Sequence, residues 1–238
     1  MNRRTFIATG SAAVASTILA KNPPRKLRVG VIGHTGRGNY GHGLDTVWHQ
    51  LNDVEIVAVA DAHGGGLANA KKKLKVEKVF ADYRAMLREV KPDIVAVCPR
   101  HADQHHDMAL AAIEAGARGI YIEKPFVRTP AEVDSLAAAC KKHGTKIAIA
   151  HRNRWHPMLA VTDQFIKDGA LGKLLEIRAR GKGDRRGGGE DLWVLGSHVM
   201  NLIHYFGGAP RNCSARLFQN GEPVTAAHVK PGNEGLGP

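Results

Sequence analysis

The stretch VGVIGHTGRGNYGHG, residues 29–43, decides the fold because a short apolar run leads directly into a glycine-rich turn. Gly33 ends the run, and Gly36 and Gly38 follow three and five residues later. The next segment, LDTVWHQL, has the composition of a helix. A strand, a glycine turn and a helix in this order place backbone N–H groups and the positive helix end where a pyrophosphate binds. We therefore expect these three glycines to contact a dinucleotide.

Four further apolar runs, VEIVAVAD, DIVAVCP, GIYIEKP and KIAIAH, are separated by stretches with helical spacing. Their β-branched content and lack of alternation predict strands buried on both faces of a doubly wound parallel sheet in an α/β fold. Gly116 and Gly144 stand where helix C-caps are expected. After residue 150 we predict a helix over PMLAVTDQFIKDGALG, a strand over KLLEIRARG, a helix over DLWVLGSHVMNLIHYFGG and a strand over CSARLFQN.

The second strand of this sheet ends in Asp61, 28 residues after Gly33. A carboxylate at this position binds the ribose hydroxyls of a dinucleotide and repels a 2′-phosphate. Asp61 therefore favours NAD, whereas Arg37 in the glycine turn leaves NADP possible. The alternative is a purely structural role, in which the glycine loop binds no ligand and the aspartate only caps a helix.

The N-terminal segment MNRRTFIATGSAAVASTILAK has adjacent Arg3 and Arg4 before an uncharged run rich in small residues. This pattern is typical of a twin-arginine export signal, and the run is too short and too weakly apolar for a permanent membrane span. We expect a periplasmic or otherwise exported protein. The sequence then divides into a signal and linker at 1–24, a nucleotide-binding domain at 25–149 and an incomplete α+β domain at 150–238.

The composition limits the classes of partner. The formal net charge of +12, from 34 Lys and Arg against 22 Asp and Glu, allows an anionic ligand. Aromatic residues make up only 5% and the basic residues are scattered, which argues against nucleic-acid binding. The three cysteines form no CxxC pair, and the His101 and His105 pair has no third ligand at a suitable spacing. We predict no metal site.

The segment GIYIEKPF, together with CPRHADQHHDMALAAIEAG, KIAIAHRNRWHP and DGALGKLLEIRARG, resembles the Gfo/Idh/MocA oxidoreductase family. The resemblance runs from residue 27 to about residue 220. It implies an NAD(P)-binding Rossmann domain and a second α/β domain whose open-faced sheet forms the substrate wall and often the oligomer contact. It also implies hydride transfer between NAD(P) and a carbohydrate or polyol, and a homo-oligomer for a full-length chain.

The resemblance also assigns roles to individual residues. It places Glu123, Lys124 and Pro99 at the cofactor, with the Lys124 ammonium reaching both the nicotinamide and the substrate hydroxyl. His105 is expected beside the cofactor and Arg154 at the substrate. His198 is the expected base for the hydroxyl proton, because an imidazole titrates near neutral pH.

The chain also departs from the family. Val194 stands where dehydrogenase members have an aspartate one helical turn before His198, and Asn201 replaces another aspartate. Asp191 lies on roughly the same face as His198 and could replace the missing acid, so we include it among the catalytic candidates. Arg185 could bind an acidic or phosphorylated substrate, although a solvated loop explains it equally well. Family members continue well beyond residue 238, so we interpret the sequence as a fragment.

Three functions fit these observations. The first is an NAD(P)-dependent oxidoreductase acting on a secondary alcohol of a sugar, glycoside or polyol. The second is a glycosidase that uses NAD to oxidise the ring transiently and re-reduce it. The third is a catalytically silent nucleotide or carbohydrate binder, which Val194 favours and Lys124 with His198 disfavours.

Overall fold

A computed structural model describes residues 25–181 and 191–228 of the chain. The predicted export signal at 1–24 and Arg185 lie outside the described residues. Six parallel strands form one sheet in the order β3-β2-β1-β4-β5-β6. They are β1 (Leu27–Ile32), β2 (Val54–Ala60), β3 (Lys78–Phe80), β4 (Ile94–Val97), β5 (Gly119–Ile122) and β6 (Lys146–Ile149). This order is that of a dinucleotide-binding Rossmann sheet, so the predicted fold class is confirmed.

Four helices connect these strands, and two more follow β6. They are α1 (Gly64–Leu74), α2 (Tyr83–Val90), α3 (His105–Glu114), α4 (Pro130–His143), α5 (Pro157–Lys167) and α6 (Gly196–Gly207). The helix ends follow the local sequence. Asp82 accepts hydrogen bonds from the first amides of α2, Thr129 and Glu132 form a capping box at α4, and Gly144 ends α4 with a positive φ of 73°.

The sheet separates two apolar cores. Helices α2, α3 and α4 cover one face, where Ile32, Leu87, Ile113 and Ile122 pack together. Helix α1 and the segment around Trp48 cover the other face. Because β1 lies in the middle, successive side chains of this strand enter opposite cores, and the strand reads as a continuous apolar run.

The segment behind the glycine turn does not form the predicted α-helix. It forms turns and a single 3₁₀ turn, Val47–Gln50. Gly41 and Gly43 have φ values of 62° and 88°, which no right-handed helix contains, and the Trp48 indole N–H donates to the Leu44 carbonyl. The glycine turn therefore lacks the helix end on which the pyrophosphate prediction partly depended.

The chain after residue 151 has less regular structure than predicted. The expected helices form as α5 and α6, and a π-helical turn, Asp191–Leu195, precedes α6. Residues 173–181, predicted as a strand, join no strand of the described sheets. The second predicted strand is reduced to a two-residue antiparallel pair, β7 (Phe218–Gln219) with β8 (Glu222–Pro223). Within the described ranges, no helix combines the length and the apolar character that crossing a membrane requires.

Candidate functional site

A pocket of about 210 Å³ opens at the carboxyl ends of β1, β2 and β3, where the strand order places a ligand crevice. The loops after β1 and β2, the start of α2 and the segment entering α3 supply its walls. The lining residues are Gly33, His34, Ala60, Asp61, Ala62, Ala81, Asp82, Tyr83, Gln104 and Met108. The pocket thus lies beside the glycine turn, and two of the predicted cofactor residues, Gly33 and Asp61, border it.

The three predicted glycines are required for different reasons. A Cβ at Gly33 would lie 2.1 Å from the Tyr40 ring, and a Cβ at Gly38 would lie 2.3 Å from the Arg100 amide nitrogen. These two glycines permit close packing within the protein. Gly36 has a φ of 85° and open space at its Cβ position, so it is the glycine of the three that leaves the turn accessible.

Most of the turn's amides are already hydrogen bonded. The Gly33 N–H donates to the Ala60 carbonyl, the Gly36 N–H to the Asn39 side chain, and the amides of Arg37 and Asn39 to the His34 carbonyl. The turn thus satisfies most of its own donors in this conformation, and the contact of Gly33, Gly36 and Gly38 with a pyrophosphate stays a prediction.

The Asp61 carboxylate faces inward and is 1% exposed. It accepts hydrogen bonds from the backbone and hydroxyl of Thr35, from the Tyr40 hydroxyl at 2.8 Å and from the His63 amide at 2.9 Å. Burial alone would raise the pKa of Asp61, but these bonds outweigh it and lower the pKa. Asp61 therefore fixes the glycine turn to β2, and its contact with a ribose stays a prediction.

Tyr40 was not predicted, although it completes this arrangement. Its ring packs on Gly33 and its hydroxyl donates to Asp61. Burial, followed by the adjacent Asp61 carboxylate, raises the pKa of Tyr40 above its ordinary value. The sequence shows only an aromatic residue inside a glycine-rich loop. This pattern does not predict which side chain the tyrosine contacts.

Arg37 lies on the outer side of the turn. Its guanidinium forms an ion pair with Asp103, and its carbonyl accepts a bond from Gln104 at 3.2 Å. Gln104 also contacts His34 and lines the pocket. Arg37 thus joins the glycine turn to the segment that enters α3, and its paired guanidinium remains half-exposed.

Glu123 and His105, both predicted as cofactor contacts, are buried. One Glu123 carboxylate oxygen accepts from the Lys124 amide at 3.0 Å, and the other faces the His42 amide and Gly41. His105 is 0% exposed, and its two ring nitrogens face the carbonyl oxygens of Pro99 at 2.6 Å and Phe126 at 2.8 Å.

These contacts change the roles of the buried residues. Both ring nitrogens of His105 are therefore engaged by backbone carbonyl oxygens, and its position beside the cofactor stays a prediction. His105 thus holds the loop after β4, through Pro99, against the loop after β5. Across residues 25–181 and 191–228, no three His, Cys, Asp or Glu side chains gather as a metal site would require.

The predicted catalytic residues Lys124 and His198 do come together. Lys124 follows β5, is 6% exposed, and donates from Nζ to the Val194 carbonyl at 3.3 Å. Val194 lies one helical turn before His198, whose ring meets the His151 ring edge to face at 5.5 Å. The loop after β5, the end of β6 and the start of α6 thus meet at one place.

Both histidines in this group favour the neutral state. Burial, Lys124 and His151, in that order, lower the pKa of His198 to about 4, with further contributions from Arg152 and His42. Burial, Lys124 and Arg154 lower the pKa of His151. At neutral pH the His198 imidazole can therefore accept a proton, while the Lys124 ammonium beside it can stabilise negative charge.

The remaining predicted residues lie around this group. The Arg154 guanidinium stacks over the ring of Tyr205, a residue of α6, at 5.1 Å, and this contact holds the guanidinium against α6. Asp191 begins the π-helical turn, and its side chain is outside the described structure. Val194 is buried, so an aliphatic group occupies the place where an acid next to His198 was expected.

Comparison with known proteins identifies the family of this chain. The family model described as an oxidoreductase family with an NAD-binding Rossmann fold matches residues 27–151. The chain belongs to the Gfo/Idh/MocA family. The matched range of this family includes the glycine turn, the pocket and Lys124, whereas His198 lies beyond it.

Two of the curated relatives are dehydrogenases of a sugar and of a glucoside. D-apiose dehydrogenase of Paraburkholderia graminis is 30% identical over 137 residues, which are 58% of this chain and 36% of that protein. D-glucoside 3-dehydrogenase of Escherichia coli is 29% identical over 208 residues, which are 81% of this chain and 58% of that protein. The chain therefore spans between about a third and three fifths of these relatives.

A solved structure agrees with the fold. The crystal structure of scyllo-inositol dehydrogenase from Lactobacillus casei with bound NAD(H) and scyllo-inositol matches with a TM-score of 0.62. It is 20% identical, and the match covers 76% of this chain and 56% of that one. At this identity the match supports the fold.

Proposed function

We propose that this protein is an NAD-dependent oxidoreductase that acts on a secondary alcohol of a carbohydrate or polyol. One observation carries the proposal. Lys124 and the segment that carries His198, which are 74 residues apart in the sequence, meet beyond the carboxyl edge of a Rossmann sheet. The sugar dehydrogenases among the relatives support the substrate class.

The residues at the sheet edge fit a dinucleotide. The pocket beyond β1, β2 and β3 is bordered by small side chains at Gly33, Ala60 and Ala62, which leave room for a flat nucleoside. Gly36 keeps the turn beside the pocket accessible. NAD bound there would provide the hydride acceptor of the reaction.

The chain's own residues would handle the proton and the charge. A secondary alcohol loses a hydride from carbon and a proton from oxygen, and the oxygen develops negative charge as the proton leaves. The Lys124 ammonium would stabilise this charge, and the neutral His198 imidazole would take the proton. Burial of Lys124 strengthens its electrostatic effect, because little water screens it.

The Lys124→Met variant tests this division of labour. It keeps most of the side-chain volume and removes the charge, so we expect kcat to fall by about 10² or more while NAD affinity changes little. Lys72→Gln, an exposed change on α1, is the matched control. Loss of NAD binding in Lys124→Met, or full activity, would contradict the assigned role.

Product analysis separates the oxidoreductase from the other two functions. An oxidoreductase forms NADH in proportion to oxidised sugar. A glycosidase that re-reduces its ring would release an aglycone without net NADH, and a silent binder would retain both ligands unchanged.

We further propose export through the twin-arginine pathway to the periplasm or beyond. The support is Arg3 and Arg4 ahead of an uncharged small-residue run. Replacing both arginines by lysine should keep the protein in the cytoplasm, as measured by fractionation. Equal export of this variant would contradict the proposal.

We also propose that the full-length protein is a homo-oligomer. Several large apolar side chains after residue 151, such as Trp155, Phe165 and Leu175, are more than half exposed. Sedimentation velocity of the full-length protein measures this directly, and a monomer at micromolar concentration would contradict it.

A further inference from the structure

We propose that a second cavity, between α1 and the glycine turn, binds a neutral compound that carries several hydroxyl groups. This site is separate from the oxidoreductase site proposed above and does not depend on that function. The cavity has a volume of about 430 Å³, which is in the range of small-molecule sites, and shares no lining residue with the nucleotide pocket. We call it the α1 cavity; its polar lining residues are Thr35, Tyr40, Asp45, His63, Asn69 and Lys73.

One face of α1 forms a wall of the α1 cavity. The lining positions 66, 69, 70 and 73 are three or four residues apart, which places them on one side of the helix. The opposite wall comes from the glycine turn and the segment behind it, where the 3₁₀ turn Val47–Gln50 forms in place of the expected helix. The cavity is thus a groove between a helix face and a turn.

Asp45 supplies a buried carboxylate to the α1 cavity. Its side chain is 1% exposed, and Oδ2 accepts from the Lys73 ammonium at 2.6 Å. The other oxygen, Oδ1, is buried and has no hydrogen-bond partner among the described residues. An unpaired buried acceptor costs free energy, which a hydrogen-bond donor from a ligand would offset. Because Lys73 is half-exposed, its flexible side chain can move and let that donor reach Asp45.

Two hydroxyl groups of the same wall have already used their protons. The Thr35 and Tyr40 hydroxyls both donate to Oδ2 of Asp61, at 2.6 and 2.8 Å. A hydroxyl group whose proton is engaged can offer another partner only its lone pairs. On this side of the cavity the ligand must therefore supply the donors itself.

The exposed rim of the cavity has donors instead. The Nδ1 atom of His63 accepts from the Gly66 amide at 3.0 Å, so the proton of the neutral ring lies on Nε2, which can donate to a ligand. The Lys73 ammonium has further N–H groups besides the one that binds Asp45. Since a hydroxyl group both donates and accepts, a compound with several hydroxyls can satisfy the wall and the rim together.

The charges in the cavity favour a neutral ligand. Asp45 and Lys73 form an ion pair, so their formal charges cancel. An anion would meet the Asp45 carboxylate, and a cation would meet the Lys73 ammonium. A sugar or polyol without a charged group avoids both repulsions.

The test titrates three sugars that share one ring and differ in charge at one carbon: D-glucose, 6-amino-6-deoxy-D-glucose and D-glucose 6-phosphate. Each is added to isotope-labelled protein without NAD, and NMR follows the Gly65 backbone amide and the Asn69 side-chain amide at the cavity. We expect saturable shifts with D-glucose, with a dissociation constant of about 1–10 mM, and at least about threefold weaker binding of the two charged sugars. Absence of saturable shifts with D-glucose, or equal or tighter binding of either charged sugar, would overturn the proposal.

Variants assign the binding to this cavity. Asn69→Trp fills the groove from an exposed position of α1 and should weaken D-glucose binding about tenfold or more, as read from the Gly65 amide. Ala68→Trp, at the neighbouring exposed position outside the cavity lining, is the matched control and should leave the dissociation constant unchanged. Equal binding in these two variants would overturn the proposal.

Two further variants separate the donor argument and the location. Asp45→Asn keeps the shape of the side chain but replaces one acceptor by an N–H group, so D-glucose binding should weaken about threefold or more. If this variant does not fold, Asn69→Trp still decides. Lys124→Met should leave the shifts at Gly65 unchanged, and their loss would place the sugar at Lys124 and overturn the proposal. Failure of NAD binding would contradict only the oxidoreductase function, because this titration contains no NAD.

Discussion

The two parts of this chain differ in how completely they bury their apolar side chains. Residues 25–151 form a six-stranded sheet with a core on each face, and side chains such as Ile32 and Ile122 are almost fully removed from water. From residue 152 onward, α5 has no buried residue and α6 buries only Gly196. Trp155 is 78% exposed.

This difference indicates that the Rossmann part supplies most of the stability, whereas the candidate site takes side chains from both parts. The Rossmann part closes its own core and can position the nucleotide pocket without help. The following part contributes His198 and Arg154 to the candidate site but gains little apolar burial within the described residues. We therefore expect the two parts to respond very differently to substitutions of equal size.

The largest effect is expected in the Rossmann core. Ile122→Ala removes a 0%-exposed side chain from β5 and leaves a cavity, so the free energy of unfolding should fall by about 2–5 kcal/mol. Urea denaturation with intrinsic fluorescence measures the loss. A loss below about 1 kcal/mol would show that the core closes around the cavity at little cost. The two parts would then not differ in how strongly they respond to loss of an apolar side chain.

A smaller effect on stability is expected at Asp61, which holds the glycine turn by hydrogen bonds. The Asp61 carboxylate accepts hydrogen bonds from four donors, whereas the amide that Asp61→Asn introduces would present an N–H group to some of these donors. The free energy of unfolding should therefore fall by about 1–3 kcal/mol. The exposed Asp134→Asn, on α4, is the control. Equal stability of the two variants in urea would contradict the role given to Asp61.

The same residue predicts a pH dependence. Because the folded state lowers the pKa of Asp61 below its ordinary 3.8, its contribution is present above that pH and is lost as the pH falls through the folded-state pKa. The wild type should therefore lose part of its stability advantage over Asp61→Asn on acidification below about pH 4. An advantage that grows on acidification would have the wrong sign.

At the junction of the two parts, Val194→Asp should change the titration of His198. A carboxylate one turn away would oppose the neighbouring cations and raise the His198 pKa by about 1–2 units from its value of about 4. NMR titration of the imidazole resonances measures it, with Val194→Asn as the uncharged control. An unchanged pKa would place position 194 too far from the imidazole to matter.

The smallest effect is expected on α5. Phe165 is 55% exposed, so Phe165→Ser should change the free energy of unfolding by no more than about 0.5 kcal/mol in the same urea experiment. A loss comparable to that of Ile122→Ala would show that α5 is packed in solution, and the comparison between the two parts would fail.

Much of the Rossmann part could be predicted from the sequence. Apolar runs without alternation predicted β1, β2, β4, β5 and β6, because strands covered on both faces need no polar side. The edge strand β6 departs from this expectation, since its Lys146 and Ala148 are exposed. The three-residue β3 was missed, since KVF is too short to form a pattern. The meeting of Lys124 with His198 was predicted from the family resemblance, because the family motif fixes where each stands in the fold.

The errors concern side-chain direction and partner choice. Position alone could not show that Asp61 turns inward to Tyr40, or that His105 faces two carbonyl groups, because both depend on loops that meet only after folding. The helix predicted over LDTVWHQL, residues 44–51, forms only the 3₁₀ turn Val47–Gln50, in which the Trp48 indole donates to the Leu44 carbonyl. Residues 173–181 have strand composition, but no described strand pairs with them.

The central claim is that the pocket beyond β1, β2 and β3 holds a nicotinamide dinucleotide. The most direct test is to purify the protein after native expression, denature it, and identify any released nucleotide by mass, followed by an NAD titration of the folded protein. We predict released NAD, or saturable NAD binding that weakens when a bulky side chain replaces Ala62 at the pocket wall. A folded protein that releases no nucleotide and binds neither NAD nor NADP would contradict the account.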